Sequence, residues 1–302
     1  MAAITTIPDF FPTEFSTNWN HLVQQKQSRL KEFVTLDTIS GKEKSYNQMA
    51  ATSMRLITGR AEQTSAQNTG TAKRWVREQG YDAVDVLDEF DDDLLGTIAL
   101  PTSPLINNHA MAYMRTCDQV IIDALGGDAY SGPTGVTATP FNPAQAVAVN
   151  FVAAGAPGNS GLTLAKVIEA KSLFGRNDVD EDEELIFVYS QKQLDDLLLN
   201  VAEVKSSDYN NVKALIDGTI DRWMGFKWRR SQRLPLNTST DVRTCYAYAK
   251  SGVVLTDAGR KVYTDILPTQ NHALQIRSVA RLGATRLEEA KVVSIACDQS
   301  PA

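Results

Sequence analysis

A polar stretch of about fifty residues, 31–85, limits what this chain can fold into more than any other feature. It is rich in Thr, Ser, Gln, Asn, Lys and Arg, and few of its apolar residues lie together. Two tracts within it have strand character, 33–39 and 71–86, and the polar run between them predicts a turn or loop. Because a two-stranded hairpin alone is only marginally stable in water, such a ribbon needs a partner surface.

Two segments space their apolar residues three or four apart, as one face of an α-helix does. The first is residues 14–30, which follow an irregular, proline-broken start. The second, 107–125, is the clearest long helix, because Asn107 or Asn108 can cap its start and a glycine pair follows its end. Its apolar stripe consists of Ala110, Met114, Cys117 and Ile121. We therefore predict a long helix on each side of the polar stretch.

The second half of the chain mixes helical and strand patterns. Ser190, with Gln193 three residues later, forms a capping box that predicts the start of a helix. Apolar and polar residues alternate on both sides of Gly283, which predicts strands around a bulge or sharp bend. The remaining predictions are helices at 164–174 and 209–216 and strands at 185–189, 226–230, 244–249 and 253–256.

Composition excludes several classes of function. The net charge of −6 argues against nucleic-acid binding as the main activity, because an acidic protein repels phosphate backbones at long range. Three cysteines far apart indicate neither a disulfide framework nor a cysteine zinc site, and they fit a reducing compartment. The N-terminus has no basic segment, and apolar stretches such as 146–156 are too short to cross a membrane. We expect a soluble protein without a secretory signal.

Two patterns define alternative functions. Ser160, in the sequence GNSG, is placed like the nucleophile of an α/β hydrolase-like enzyme, although a glycine-rich turn before a helix has the same composition. Residues 222–233 interleave basic and aromatic side chains, as a single-stranded nucleic-acid binder does, but a half-buried strand with a basic edge does so as well. The acidic loop after residue 177 lacks the glycine and the distal carboxylate of a calcium loop. We assign no catalytic residue, cofactor or metal.

An arm, a polar ribbon and a long helix describe a subunit with extensions rather than a compact monomer. Five segments carry a closer likeness: 19–30 (WNHLVQQKQSRL), 162–171 (LTLAKVIEAK), 193–198 (QLDDLL), 208–215 (DYNNVKAL) and 282–293 (LGATRLEEAKVV). In sequence and in order they resemble the tailed-bacteriophage major capsid proteins of the Hong Kong 97-type fold. The likeness covers nearly the whole chain.

This resemblance implies an α+β fold of the Hong Kong 97 type and a structural function, self-assembly into the icosahedral shell that encloses viral DNA. It also implies the division of the chain. The expected parts are an N-terminal arm (1–30), an extended β-ribbon loop over a neighbouring subunit (31–85), a peripheral domain with the long spine helix (86–135), an axial domain (136–264), and C-terminal strands that return to the peripheral domain (265–302).

The resemblance further implies the partners. The chain itself would form pentamers and hexamers around packaged DNA, without sequence-specific binding and with no membrane involved; a portal and a decoration protein are candidate further partners. Some relatives carry a long N-terminal scaffolding segment, but here the arm begins almost at Met1, so we expect any scaffolding protein to be separate. The expected location is the virion capsid, after assembly in the cytoplasm of the bacterial host. No enzymatic activity is expected.

The sign of the charge differs between the middle of the loop and the segment at its end. Between residues 42 and 62 the loop has four basic and two acidic side chains, and the run from residue 82 to residue 93 is acidic. If the loop of one subunit lies on the peripheral domain of the next, as the resemblance implies, opposite charges meet between subunits. On this basis we assign seven candidate intersubunit contacts: Lys42, Lys44, Arg55, Arg60, Asp91, Asp92 and Asp93.

Overall fold

A computed structural model of the chain describes residues 22–64, 66–87, 102–153, 155–201, 221–270 and 272–300. Within these residues the α-helices are α1 (Thr102–Gly126), α2 (Leu164–Arg176) and α3 (Gln191–Val201). The strands are β1 (Thr35–Asp37), β2 (Glu43–Met49), β3 (Thr71–Arg77), β4 (Gln79–Leu87), β5 (Ala129–Ser131), β6 (Thr137–Thr139), β7 (Ala146–Val147), β8 (Leu185–Tyr189), β9 (Arg222–Trp223), β10 (Phe226–Arg230), β11 (Leu236–Asn237), β12 (Val242–Ala249), β13 (Val253–Leu267), β14 (Ala273–Arg286) and β15 (Val292–Asp298). The predicted α+β class is confirmed.

In the described part of the chain, the strands form three sheets. Sheet I has the order β1-β13-β14-β4, sheet II the order β7-β15-β12-β8-β10-β9 with β11 beside β12, and sheet III the order β2-β3-β5-β6. The strands β13 and β14 make one long antiparallel hairpin, which β1 joins in parallel at one edge and β4 joins at the other. Strand β14 therefore lies in sheet I, whereas the last strand, β15, lies in sheet II.

Helix α1 packs on sheet I, and its sequence pattern explains why. Cys117 and Ile121, from the predicted stripe, are fully buried. The helix begins at Thr102, so Asn107 and Asn108 lie inside it and the predicted N-cap is wrong. The predicted end is confirmed, because the helix stops at Gly126 and the next residue closes the turn with a 2.8 Å backbone hydrogen bond to Asp123.

The core of sheet II follows the sequence closely. The strands predicted at 185–189 and 226–230 are β8 and β10, which pair in parallel over their full length. Every residue of β8 is buried, and the ring of Phe187 stacks on that of Trp228 with 4.5 Å between centroids. One of the two hydrogen bonds of the capping box is present: the backbone N–H of Ser190 donates to Gln193 Oε1 at 3.2 Å, directly before α3.

The helix predicted over 14–30 is wrong for residues 22–30, which are not helical; residues 14–21 lie outside the described residues. The backbone N–H groups of Arg29 and Leu30 donate to the Asp118 carboxylate at 3.0 and 3.1 Å. A side chain almost ninety positions away has therefore taken the donors that a local helix would have used. The helix predicted at 209–216 also lies outside the described residues.

The polar stretch forms its strands at other places than predicted. The tract 33–39 contains only the three-residue β1, whose partner is β13 rather than the tract 71–86. The tract 71–86 divides at Glu78 into β3 and β4, which belong to different sheets. The strand that completes the ribbon is β2, which its polar sequence does not mark because pairing with β3, rather than an apolar face, holds it in place.

Strand β14 runs through Gly283 without interruption, so the predicted bulge at this glycine is wrong. The irregularity lies on the neighbouring strand β13, between Asp257 and Arg260. A Cβ atom at position 283 would lie 2.4 Å from the carbonyl oxygen of Arg77, which no side chain can tolerate. Glycine is therefore required here by the close approach of another backbone.

Candidate assembly surfaces

The ribbon consists of β2 and β3, antiparallel from the pair Glu43 and Arg77 to the pair Met49 and Thr71, with residues 50–70 beyond them. Near its far end the ribbon carries large apolar side chains that are 74–102 % exposed: Met49, Met54, Leu56 and Ile57. Four exposed apolar side chains within nine residues, which we call the apolar cluster, are typical of a surface that binds another protein. Within the described residues, nothing covers this cluster.

The four basic residues of the loop that the sequence suggested as intersubunit contacts fall into two groups. Lys44 and Arg55 form ion pairs inside their own chain, with Asp37 at 2.5 Å and Glu62 at 2.8 Å. The hydrogen bonds that Lys44 and Tyr46 donate lower the pKa of Asp37 to about 2. Lys42 and Arg60 are exposed and have no ion-pair partner among the residues that the structure describes. Asp91, Asp92 and Asp93 lie outside those residues.

A buried charge network joins the root of the ribbon to the rest of the subunit. Arg286 is fully buried at the end of β14, and its guanidinium donates to the carbonyls of Ala124 (2.9 Å) and Leu125 (3.1 Å) at the C-terminus of α1. Its Nε also pairs with Glu289 at 3.1 Å. The other oxygen of Glu289 binds Arg74 of β3 at 3.0 Å. Through its two arginine partners, the carboxylate of Glu289 therefore links the ribbon to the end of β14 and to the C-terminus of α1.

A second buried carboxylate holds the segment before β1. Asp118, near the middle of α1, is fully buried and accepts hydrogen bonds from two backbone N–H groups and from the side chains of Ser28 and Gln25. Four donors around one carboxylate compensate for its burial. Sequence reasoning missed this site, because the helical pattern placed Asp118 beside the apolar stripe without indicating any partner.

Helix α1 also carries a buried histidine that sequence spacing did not connect to anything. His109 Nε2 lies 2.8 Å from Asp85 Oδ2, and Nδ1 lies 3.1 Å from the hydroxyl of Ser278. His109 and Ser278 are only 4 % and 5 % exposed. Because its two partners lie on β4 and β14, this histidine fastens the helix to two strands of sheet I.

The residues behind the enzyme alternative have structural contacts. The hydroxyl of Ser160 donates to the carbonyl of Val149, and within the described part of the chain no imidazole is bonded to it. Its own carbonyl accepts from Lys166, a fully buried ammonium that also binds the carbonyls of Val149, Gly161 and Ala296 at 2.8–3.0 Å. Because Lys166 binds carbonyls of this glycine-rich loop and of β15 together, it connects the loop to the strand.

The aromatic side chains on which the nucleic-acid alternative depends are buried. Trp223, Phe226 and Trp228 are 8 %, 0 % and 3 % exposed and pack on one another and on β8. Their rings are not available to stack on bases, so the half-buried strand is the correct interpretation of residues 222–233.

Two kinds of feature are absent from the residues that the structure describes. No three His, Cys, Asp or Glu side chains converge there into a group that could hold a metal ion. In the same residues, no helix combines the length and the apolar character needed to cross a membrane.

Comparisons with known proteins agree with one another. A model of the family described as phage capsid protein matches residues 7–299. The structure is similar to the cyanophage Pam1 capsid asymmetric unit (TM-score 0.72, 15 % identity, 100 % of each chain covered). It is also similar to the capsid of Ralstonia phage GP4 (TM-score 0.69, 11 % identity, 100 % of each chain covered) and to a structure from Mycobacterium phage Che8 (TM-score 0.70, 14 % identity, 96 % of this chain and 98 % of that one). Among curated proteins, no significant match was found.

Proposed function

The chain belongs to the phage capsid protein family, and from this premise we propose how its subunits hold one another in the shell. Its role is structural: it is a major capsid protein with the Hong Kong 97-type fold, it associates with copies of itself, and its place is the virion capsid. The finer assignments are our proposal. The chain forms pentamers and hexamers around packaged DNA and assembles in the cytoplasm of the host, with a scaffolding protein, a portal and a decoration protein as candidate partners.

The ribbon is the part of the subunit that reaches over a neighbour. The observation that supports this is the exposed apolar cluster of Met49, Met54, Leu56 and Ile57. Complete burial of one large apolar side chain contributes about 1.5–3 kcal/mol, whereas an exposed ion pair contributes about 0.2–1 kcal/mol. Apolar contact at the tip therefore supplies most of the affinity, and the charges of Lys42 and Arg60 set orientation and register.

The remaining parts of the chain keep their expected roles in this proposal. Residues 1–30 are the arm, 31–85 the extended loop, 86–135 the peripheral domain, 136–264 the axial domain and 265–302 the returning strands. The simultaneous ion pairs of Glu289 with Arg74 and Arg286 support a rigid connection between the loop and the end of α1.

Electron microscopy of the purified, concentrated full-length protein tests the proposal. We expect closed particles with a mass in the megadalton range under native conditions. A single species at the mass of one subunit, 33.1 kDa, under every condition that favours assembly would contradict it.

Protease sensitivity of the loop should depend on assembly. Residues 50–64 are exposed and form no helix or strand, so trypsin should cut after Arg55 or Arg60 rapidly in free subunits. In particles, the neighbouring subunit should cover the tip and slow the cut at least tenfold. Cleavage of a small peptide substrate in both samples controls for protease activity. Equal cutting rates before and after assembly would refute the protection.

The acidic run should stabilise the shell without affecting the subunit. Replacing Asp91, Asp92 and Asp93 together by Asn should leave subunit folding intact and lower the temperature at which particles release their contents, with a weaker dependence on salt. The control is the same charge change in the exposed loop after α2: Asp178→Asn, Asp180→Asn and Asp182→Asn. If both triple variants release their contents as the parent does at every salt concentration, the run from 91 to 93 is only a solvated surface.

A further inference from the structure

Contacts between three separate parts of the chain connect four arginines, which we call the arginine patch: Arg29, Arg115, Arg230 and Arg233. Arg29 lies before β1, and its Nη1 donates to the carbonyl of Arg230, at the end of β10, over 2.7 Å. Arg115 lies on α1 and donates to Gln24 Oε1, in the same segment as Arg29; burial and the charge of Arg233 lower its pKa. The segment before β1, the helix and the end of sheet II thus each contribute cations to one place.

These four guanidiniums have no ion-pair partner among the described residues. Two carboxylates that hydrogen bonds link to the patch are otherwise engaged. Asp118 is fully buried under four donors, and Asp195 reaches Arg230 only through the side chain of Gln191. Asp221 pairs with Arg229 at 3.5 Å, outside the patch. Four uncompensated positive charges in a chain of net charge −6 indicate a surface built to meet an anion.

Most of the hydrogen-bonding capacity of the patch is unused. A guanidinium has five N–H donors. Within the described residues, the side chains of Arg29, Arg115 and Arg230 each make a single hydrogen bond, to the carbonyl of Arg230, to Gln24 Oε1 and to Gln191 Oε1. The remaining donors form planar forks that match the two oxygens of a phosphate.

We propose that the arginine patch binds the phosphate backbone of duplex DNA without reading its sequence. Among the described residues, the rings of Trp223 and Trp228, close to Arg230 in the chain, are buried and cannot stack on bases, so the contact is with the backbone. The acidic run of a neighbouring subunit fits less well, because Asp82 and Asp85, its described members, already bind Arg277 and His109. The proposal rests on the capsid function in one respect, that packaged DNA lies beside the subunit.

The salt dependence of DNA affinity in free, full-length subunits tests the proposal. Binding of a fluorescent 24-base-pair duplex is measured by anisotropy at several salt concentrations between 50 and 200 mM. Each neutralised phosphate of duplex DNA contributes about −0.9 to the slope of log K against log salt, so four contacts predict a slope of about −3 to −4. The double variant Arg230→Gln with Arg233→Gln should bring the slope about two units closer to zero.

A matched pair of cations elsewhere separates the patch from net charge. Arg176→Gln with Lys261→Gln removes the same charge from exposed residues on α2 and β13 and should leave the slope unchanged. Equal effects of both double variants would overturn the proposal, because net charge alone would then explain them. Normal DNA binding with loss of particles in the Arg230 and Arg233 variant would also overturn it, since the patch would then be a contact between subunits. Particle formation, followed by electron microscopy, reports separately on the capsid role.

Discussion

Replacing Gly283 by valine should prevent the subunit from folding, rather than only from assembling. The first side-chain carbon would lie 2.4 Å from the carbonyl oxygen of Arg77 and 3.0 Å from Thr256 Oγ1, so β14 cannot keep its place between β13 and β4. A clash with backbone cannot be relieved by turning a side chain. We expect a loss of more than about 4 kcal/mol, a large part of the stability of an ordinary domain. Soluble yield and circular dichroism of the purified chain measure it.

Gly80 provides the matched control for this prediction. It lies on β4, opposite Arg281, and nothing lies within 4 Å of the place where its Cβ would be. Gly80→Val should therefore fold and change stability by less than about 1 kcal/mol, because a β-branched residue suits an open strand position. A soluble, well-folded Gly283→Val subunit that merely fails to form shells would show that the contact with Arg77 is not essential.

Arg286→Gln should destabilise the subunit by about 3–5 kcal/mol, the usual cost of breaking a buried ion pair from one side. The change leaves the carbonyls of Ala124 and Leu125 without their donor and takes one of the two arginines away from Glu289. Because these groups are buried, water cannot replace the lost hydrogen bonds. Urea unfolding of the free subunit, followed by circular dichroism, measures the change.

An exposed pair on the same strand separates burial from charge. Arg277 of β14 pairs with Asp82 at 3.1 Å, and both side chains are about half exposed. Arg277→Gln removes the same charge from the same strand and should cost less than about 1 kcal/mol. If the two variants lose equal stability, the network around Glu289 has no special role in the fold.

The sequence by itself determined the elements whose stabilising contacts are local or periodic. The apolar stripe through Cys117 and Ile121 predicted α1, and the glycine pair after it predicted its end. A continuous apolar run predicted β8, and alternation of aromatic and basic residues predicted β10. The capping box at Ser190 placed the start of α3, because both of its hydrogen-bonding partners are three residues apart. The ordered likeness along the chain also identified the family, which the match over residues 7–299 confirms.

Only the tertiary structure decided the features whose partners are distant in the chain. Residues 22–30 had a helical pattern, yet Asp118, almost ninety positions away, binds their backbone. Gly283 had the pattern of a bend, yet the carbonyl of Arg77 explains it. A one-dimensional pattern records the spacing of side chains along one element and carries no information about which backbone or buried charge another element brings against it. The arginine patch has the same origin, because its members lie on three segments that are neighbours only after folding.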